Sequence, residues 1–145
     1  MQIIKEENIM QYIIMLTVVL GLAIADFITG IIKAYVTRKL SSSKMRKGGL
    51  NKIAEIIIMA ATCGLEIGIK ALGHYYGDKP EQLTQIAGTL AAIAVFAYIT
   101  IMEMLSMLEN YCEINPKALW AKKIVKRLKS FENEDMKEEE KDERN

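Results

Sequence analysis

The sequence predicts an all-α integral membrane protein with about three transmembrane helices and a basic amphipathic C-terminal helix, assembling as an oligomer. Three observations point there. Apolar residues make up 51% and charged residues 26% of the 145, at a mean hydropathy of +0.13, so the two kinds are segregated along the chain rather than mixed. Three apolar stretches have the length of a membrane crossing, for which ~20 residues suffice. Each also holds a carboxylate, Asp26, Glu66 or Glu103, at a depth where ionisable groups are costly and face protein or water rather than lipid.

The first stretch, residues 9–32, is uncharged from Asn8 to Ala25 and has Asp26 as its single ionisable residue. It is too long for the apolar region of a signal peptide and is preceded by Lys5, Glu6 and Glu7, so it reads as a retained span. Gly21, Ala25 and Thr29, four apart, form a ladder of small residues that lets another helix approach closely.

The second stretch, 53–72, is weaker, because Glu55, Glu66 and Lys70 leave only 56–65 as a continuous uncharged run. Hydropathy alone would allow a re-entrant or buried segment. Geometry favours a full span: at 100° per residue, Glu55, Thr62, Glu66 and Lys70 fall on one stripe, with Ile57, Ile58, Ala61, Leu65 and Ile69 on other faces. The third stretch, 83–108, is uncharged from Gln82 to Met102 and then meets Glu103. Gly88 and Ala92, and likewise Ala87 and Ala91, repeat the four-residue spacing.

Charge bias gives these spans a direction. Lys33, Arg38, Lys39, Lys44, Arg46, Lys47 and Lys52 follow the first stretch with no acid before Glu55, which marks a cytoplasmic loop. The connection 73–82 is short and mixed in charge, with His74 as a loop residue and Tyr75 and Tyr76 suited to an outer interfacial belt. Residues 117–131 are again basic without acids. The expected topology is therefore amino terminus outside and carboxyl terminus inside, in a bacterial cytoplasmic membrane.

Within the cytoplasmic loop, Ser41, Ser42 and Ser43 suit a helix cap, while Gly48 and Gly49 suit a flexible turn with unusual backbone angles. In the tail, Trp120, Ile124, Leu128 and Phe131 repeat at helical spacing. Lys122, Lys123, Lys126 and Arg127 then occupy another face, as in a helix lying on an anionic leaflet. Residues 1–131 thus read as one membrane domain, and the acidic composition of 132–145 predicts a disordered tail.

Several function classes are disfavoured. A net charge of +1 argues against a nucleic-acid binder. Cys63 and Cys112 lack CxxC spacing, His74 is the single histidine, and no GxxxxGK[ST] phosphate loop is present, so neither an enzyme, a cofactor nor a metal is expected. Met45, Met59, Met102, Met104 and Met107 read as adaptable packing residues. The carboxylates admit two readings. Each is either satisfied locally (Glu66 by Lys70, Asp26 by a hydroxyl or Lys33, Glu103 by headgroup water), or they line a hydrated path or interface formed on oligomerisation. Three helices cannot enclose a sizeable conduit, so a pore requires several copies.

Three local patterns resemble the toxin-secretion and phage-lysis holin family. They are Asp26-Phe27-Ile28-Thr29-Gly30 at the end of the first span, the basic serine-containing loop from Arg38 through Lys47-Gly48-Gly49-Leu50 to Lys52, and Glu103-Met104-Leu105-Ser106-Met107-Leu108-Glu109-Asn110 at the end of the third. The match covers about 20–128 and departs after Asn110, where Cys112-Glu113-Ile114-Asn115-Pro116-Lys117 keeps one proline and the lysine of a family segment that often has two prolines. The resemblance implies a homo-oligomer that opens large lesions through which an endolysin, a bacteriocin or a large toxin leaves the cell. By matching motifs it points to Asp26, Thr29, Gly30, Glu103, Ser106 and Asn110 as assembly or pore residues, beside Glu55, Thr62, Glu66, Lys70, Gly88 and Ala92 from the stripe and ladder. An antiholin partner, or an antiholin or regulatory subunit in its own right, is the competing expectation; a small proton-coupled transporter is a third.

Overall fold

A computed structural model describes the backbone of residues 2–76 and 80–142, and the side chains of 10–69, 71–72 and 86–130. The described residues form four helices, α1 (Gln2–Val36), α2 (Ser42–Tyr76), α3 (Pro80–Ile114) and α4 (Leu119–Asp142). At 35 residues each, α1, α2 and α3 are roughly 50 Å long, well beyond the ~30 Å of a hydrocarbon core. Their ends therefore extend past the apolar stretches that announced them.

Helix α1 stops in a left-handed turn. Arg38 has φ 55°, the Arg38 amide donates to the Tyr35 carbonyl, and the Lys39 amide donates to the Ala34 carbonyl. This is the Schellman arrangement, which satisfies carbonyls left over at a helix end. Helix α2 begins at once: the Ser41 carbonyl accepts from the Met45 amide at 3.0 Å, as expected of a residue capping the start. The loop expected through Gly48 and Gly49 is instead helical. Packing outweighs the poor helix propensity of glycine there, since a Cβ on Gly49 would already touch the Phe27 ring at 3.8 Å. The unusual backbone angle sits at Arg38 instead.

Two further expectations change. The backbone of α2 reaches Tyr76, which places His74 in its last turn rather than in a loop; the side chains of His74 and Tyr75, like residues 77–79, lie outside the described residues. Helix α4 continues to Asp142, through the segment whose acidity predicted disorder. Its Glu, Lys and Met residues are good helix formers, and it contains neither Gly nor Pro.

Helix α3 packs against each of the other three. Contacts pair early α2 with late α3 and late α2 with early α3, so those two are antiparallel, whereas α1 and α3 run parallel. Tyr12, Met15 and Val19 of α1, Met59 and Cys63 of α2, and Ile99 of α3 form the apolar core. Ile13, Ile24, Ile57, Leu65, Leu90 and Ile101 point outward and are more than half or nearly half exposed, a surface suited to lipid. Two segments, Met10–Val36 and Ile86–Ile114, are long and apolar enough to cross a membrane, and only 22% of each is buried inside the bundle, unlike the core helix of a soluble protein. By the same measure of length and composition α2 is not a candidate, in keeping with the weaker second stretch.

After α3, Pro116 interrupts the helical ladder and the Asn115 side chain accepts from the Lys117 amide at 3.3 Å. The chain turns, Trp120 meets Tyr111 with ring centroids 5.9 Å apart, and Ala118 and Ala121 are buried. Just before and along α4, the side turned to α3 is Ala118, Ala121, Val125 and Leu128. Small alanines allow a close contact that the larger apolar residues would prevent. Trp120 and Ile124 are left exposed beside Lys123 and Arg127, while Phe131 lies outside the described side chains.

Candidate functional site

Two polar tiers flank the apolar core. The inner tier is an ionic cluster built by three helices. Lys52 of α2 reaches between α1 and α3, with its Nζ 2.9 Å from Asp26 Oδ2 and 2.7 Å from Glu103 Oε2. Glu55, one turn along α2, stands 3.6 Å from the same ammonium. Asn110 donates through Nδ2 to Asp26 Oδ1 at 3.0 Å and to the Thr29 hydroxyl at 3.2 Å, and that hydroxyl in turn donates to the Asp26 carbonyl. The Asp26 side chain is 8% exposed, that of Glu103 1% and that of Lys52 18%.

Charges so far from water require partners, since an unpaired one costs several kcal/mol. Here a single cation faces three carboxylates, and Glu103 Oε1 and Glu55 Oε2 receive no hydrogen bond. Lys52 is consequently the charged link between α2 and both α1 and α3 at this end, beside the Asn110 bonds that join α1 to α3. Gly30 lies beside the cluster, a Cβ there falling an ordinary 3.7 Å from the Asn110 amide nitrogen. Ser106 and Asn110 line a cavity of about 450 Å³ that opens from it between the ends of the helices.

The outer tier joins α2 and α3. The Thr89 hydroxyl donates to Glu66 Oε1 at 2.7 Å, and Glu66 is 1% exposed. Gly88 permits this: a Cβ there would lie 3.3 Å from Glu66 Cγ and 3.4 Å from its Cα. Ala92, one turn on, is fully buried. The Gly88 and Ala92 ladder thus serves packing within one chain, whereas Ala87, Ala91 and Gly21 are exposed. Of the remaining stripe, Thr62 is half-buried and its hydroxyl donates to the Ile58 carbonyl at 2.8 Å, while the Lys70 side chain lies outside the described residues.

One of the local explanations for the carboxylates changes. Asp26 and Glu103 meet partners across helices of the same chain, Asp26 through Lys52 and Asn110 and Glu103 through Lys52. Lys33 pairs instead with Glu113 at 3.5 Å. Sequence reasoning counted Lys52 among the loop cations and passed over Thr89. Extending the stripe of Glu55 and Glu66 one turn back reaches Lys52, so a signal for it was present.

On α4, Lys122, Lys123, Lys126 and Arg127 are exposed, and Lys129 pairs with Glu109 of α3 at 2.6 Å. Among the described residues no group of acidic, histidine or cysteine side chains has the geometry of a metal site.

The sequence model of the bacteriophage holin family matches residues 8–133, most of the chain, including both tiers and the basic part of α4. No curated protein matches, and no solved structure does. The chain belongs to the bacteriophage holin family and is a holin-type membrane protein.

Proposed function

We propose that this member of the bacteriophage holin family crosses the bacterial cytoplasmic membrane three times. Its amino terminus lies outside and its carboxyl terminus inside, and it oligomerises into lesions that let an endolysin, a bacteriocin or a large toxin escape. The observation carrying this reading is the inner tier: a paired set of charges at membrane depth, drawn from all three long helices, that is dry while the helices stay together. Separation of those helices between subunits would turn the same residues into a wet lining. Neither cofactor nor covalent chemistry enters. Residues 1–131 act as one membrane domain, with the basic face of α4 on the anionic inner leaflet through Lys122, Lys123, Lys126 and Arg127. Membrane lipid and further copies of the chain are its standing partners; the cargo passes through without being held, and an antiholin is the expected regulator.

Induction in a bacterium tests the proposal. The expected result is collapse of the membrane potential together with release of a cytoplasmic enzyme; accumulation to high level without leakage would overturn it. Topology is tested by labelling single cysteines at Lys44→Cys and Gly73→Cys in a background lacking Cys63 and Cys112. Gly73→Cys should react from outside and Lys44→Cys only after the membrane is opened.

A further inference from the structure

We infer that the cavity beside the inner tier is a binding site for the phosphate headgroup of an anionic phospholipid from the inner leaflet. The inference rests on the three-span reading with the amino terminus outside, which sets the mouth of the cavity, at Lys39, Ser41 and Lys44, at headgroup depth while the ionic cluster lies deeper. The cavity, about 450 Å³, lies where the end of α1, the start of α2 and the end of α3 meet. Pockets of this size hold small organic groups.

Its charge is unevenly spent. Four lysines line it, but Lys52 is engaged by Asp26 and Glu103, and Lys33 by Glu113. The two lining carboxylates, Asp26 and Glu113, are therefore already opposite a cation. Lys39 and Lys44 have no ion pair among the described residues, so two positive charges remain on the wall. Ser41 is on the same wall, and α2 starts at Ser42, so first-turn amides without helical acceptors and the positive end of a 35-residue helix lie at the cavity's edge. Two lysines and such a helix start suit a phosphodiester.

The other side of the cavity favours lipid over free phosphate. Phe27, Ile31 and Met45 line it, an apolar surface that a glycerol ester can cover and an inorganic ion cannot. The site differs from the basic face of α4, which presents exposed cations without a comparable enclosure.

Native mass spectrometry of the purified full chain, after incubation with phosphatidylcholine vesicles containing phosphatidylglycerol, tests the inference. Wild type should retain phosphatidylglycerol and not phosphatidylcholine. Lys39→Gln with Lys44→Gln should lower retention at least ~10-fold, the loss expected when two charge-assisted contacts go. Gly48→Leu should do the same without altering charge, because Gly48 lines the cavity and nothing lies within 4 Å of where its Cβ would be. A control, Lys122→Gln with Lys126→Gln on α4, should keep the lipid. Unchanged retention in both cavity variants, or equal loss in the α4 control, overturns the inference. Displacement by millimolar inorganic phosphate, with phosphate retained in place of lipid, overturns the lipid assignment. Correct topology and leakage without lipid retention would remove this inference alone; Lys44→Cys reacting from outside would remove the orientation that places the cavity at the inner leaflet.

Discussion

The inner and outer tiers solve the same problem, a carboxylate buried between helices, in different ways. At the inner end Asp26 of α1 and Glu103 of α3 share the ammonium of Lys52 from α2, an ion set that draws on three helices. At the outer end Glu66 accepts from the Thr89 hydroxyl in the space left by Gly88. The contrast separates electrostatic locking from steric approach. One end is held by an ion set, the other by a hydroxyl contact that depends on close approach.

Lys52→Met should break that contrast most severely. It leaves three carboxylates facing one another and should cost about 3–5 kcal/mol, read as unfolding equilibrium in mixed micelles by circular dichroism. A loss under about 1 kcal/mol would mean the cluster is already wet. The triple variant Asp26→Leu, Lys52→Met, Glu103→Leu sharpens the point, because apolar packing can replace a buried ion set with little loss of stability. It should fold as well as wild type yet release no cytoplasmic enzyme, since the separated helices would have no polar lining to offer.

Next in size is Gly88→Leu at the outer tier, where the added side chain meets the Glu66 backbone. Overpacking of this kind costs about 1–3 kcal/mol. Its effect should be the same at low and high salt, while that of Lys52→Met need not be. Smallest is Glu66→Gln, expected to cost about 1 kcal/mol or less, because the amide oxygen still accepts from Thr89 and only the charge of the acceptor is lost. Equal losses for Glu66→Gln and Lys52→Met would erase the distinction between the tiers.

Much of this was legible in the sequence. The apolar stretches locate the long helices, the charge stripe of Glu55 and Glu66 faces the bundle as its periodicity required, and Gly88 with Ala92 marks a packing face. Partners were not legible where they come from another helix. Lys52 to Glu103 spans 51 positions and Asn110 to Asp26 spans 84, and no local pattern encodes such pairings. Gly48 and Gly49 misled because glycine signals a turn only where the surrounding helix is not otherwise held, and at Gly49 the helix packs on Phe27. The contact of α4 with α3 was not legible, because it is made by small alanines that carry no strong periodic signal, while Trp120 and Ile124 stay exposed.

The spacing of the tiers has a consequence for the proposed lesion. Lys52 and Glu66 stand 14 positions apart on α2, about 21 Å along its axis, and the residues packed between them are mostly apolar, Met59, Val19, Cys63 and Ile99, with Glu55 beside Lys52 and the buried Thr100 hydroxyl as polar exceptions. The dry stretch of the bundle is thus shorter than the ~30 Å of hydrocarbon around it. If the helices separate between subunits as proposed, water has to wet an apolar band of only about four turns of helix for the two polar ends to become continuous.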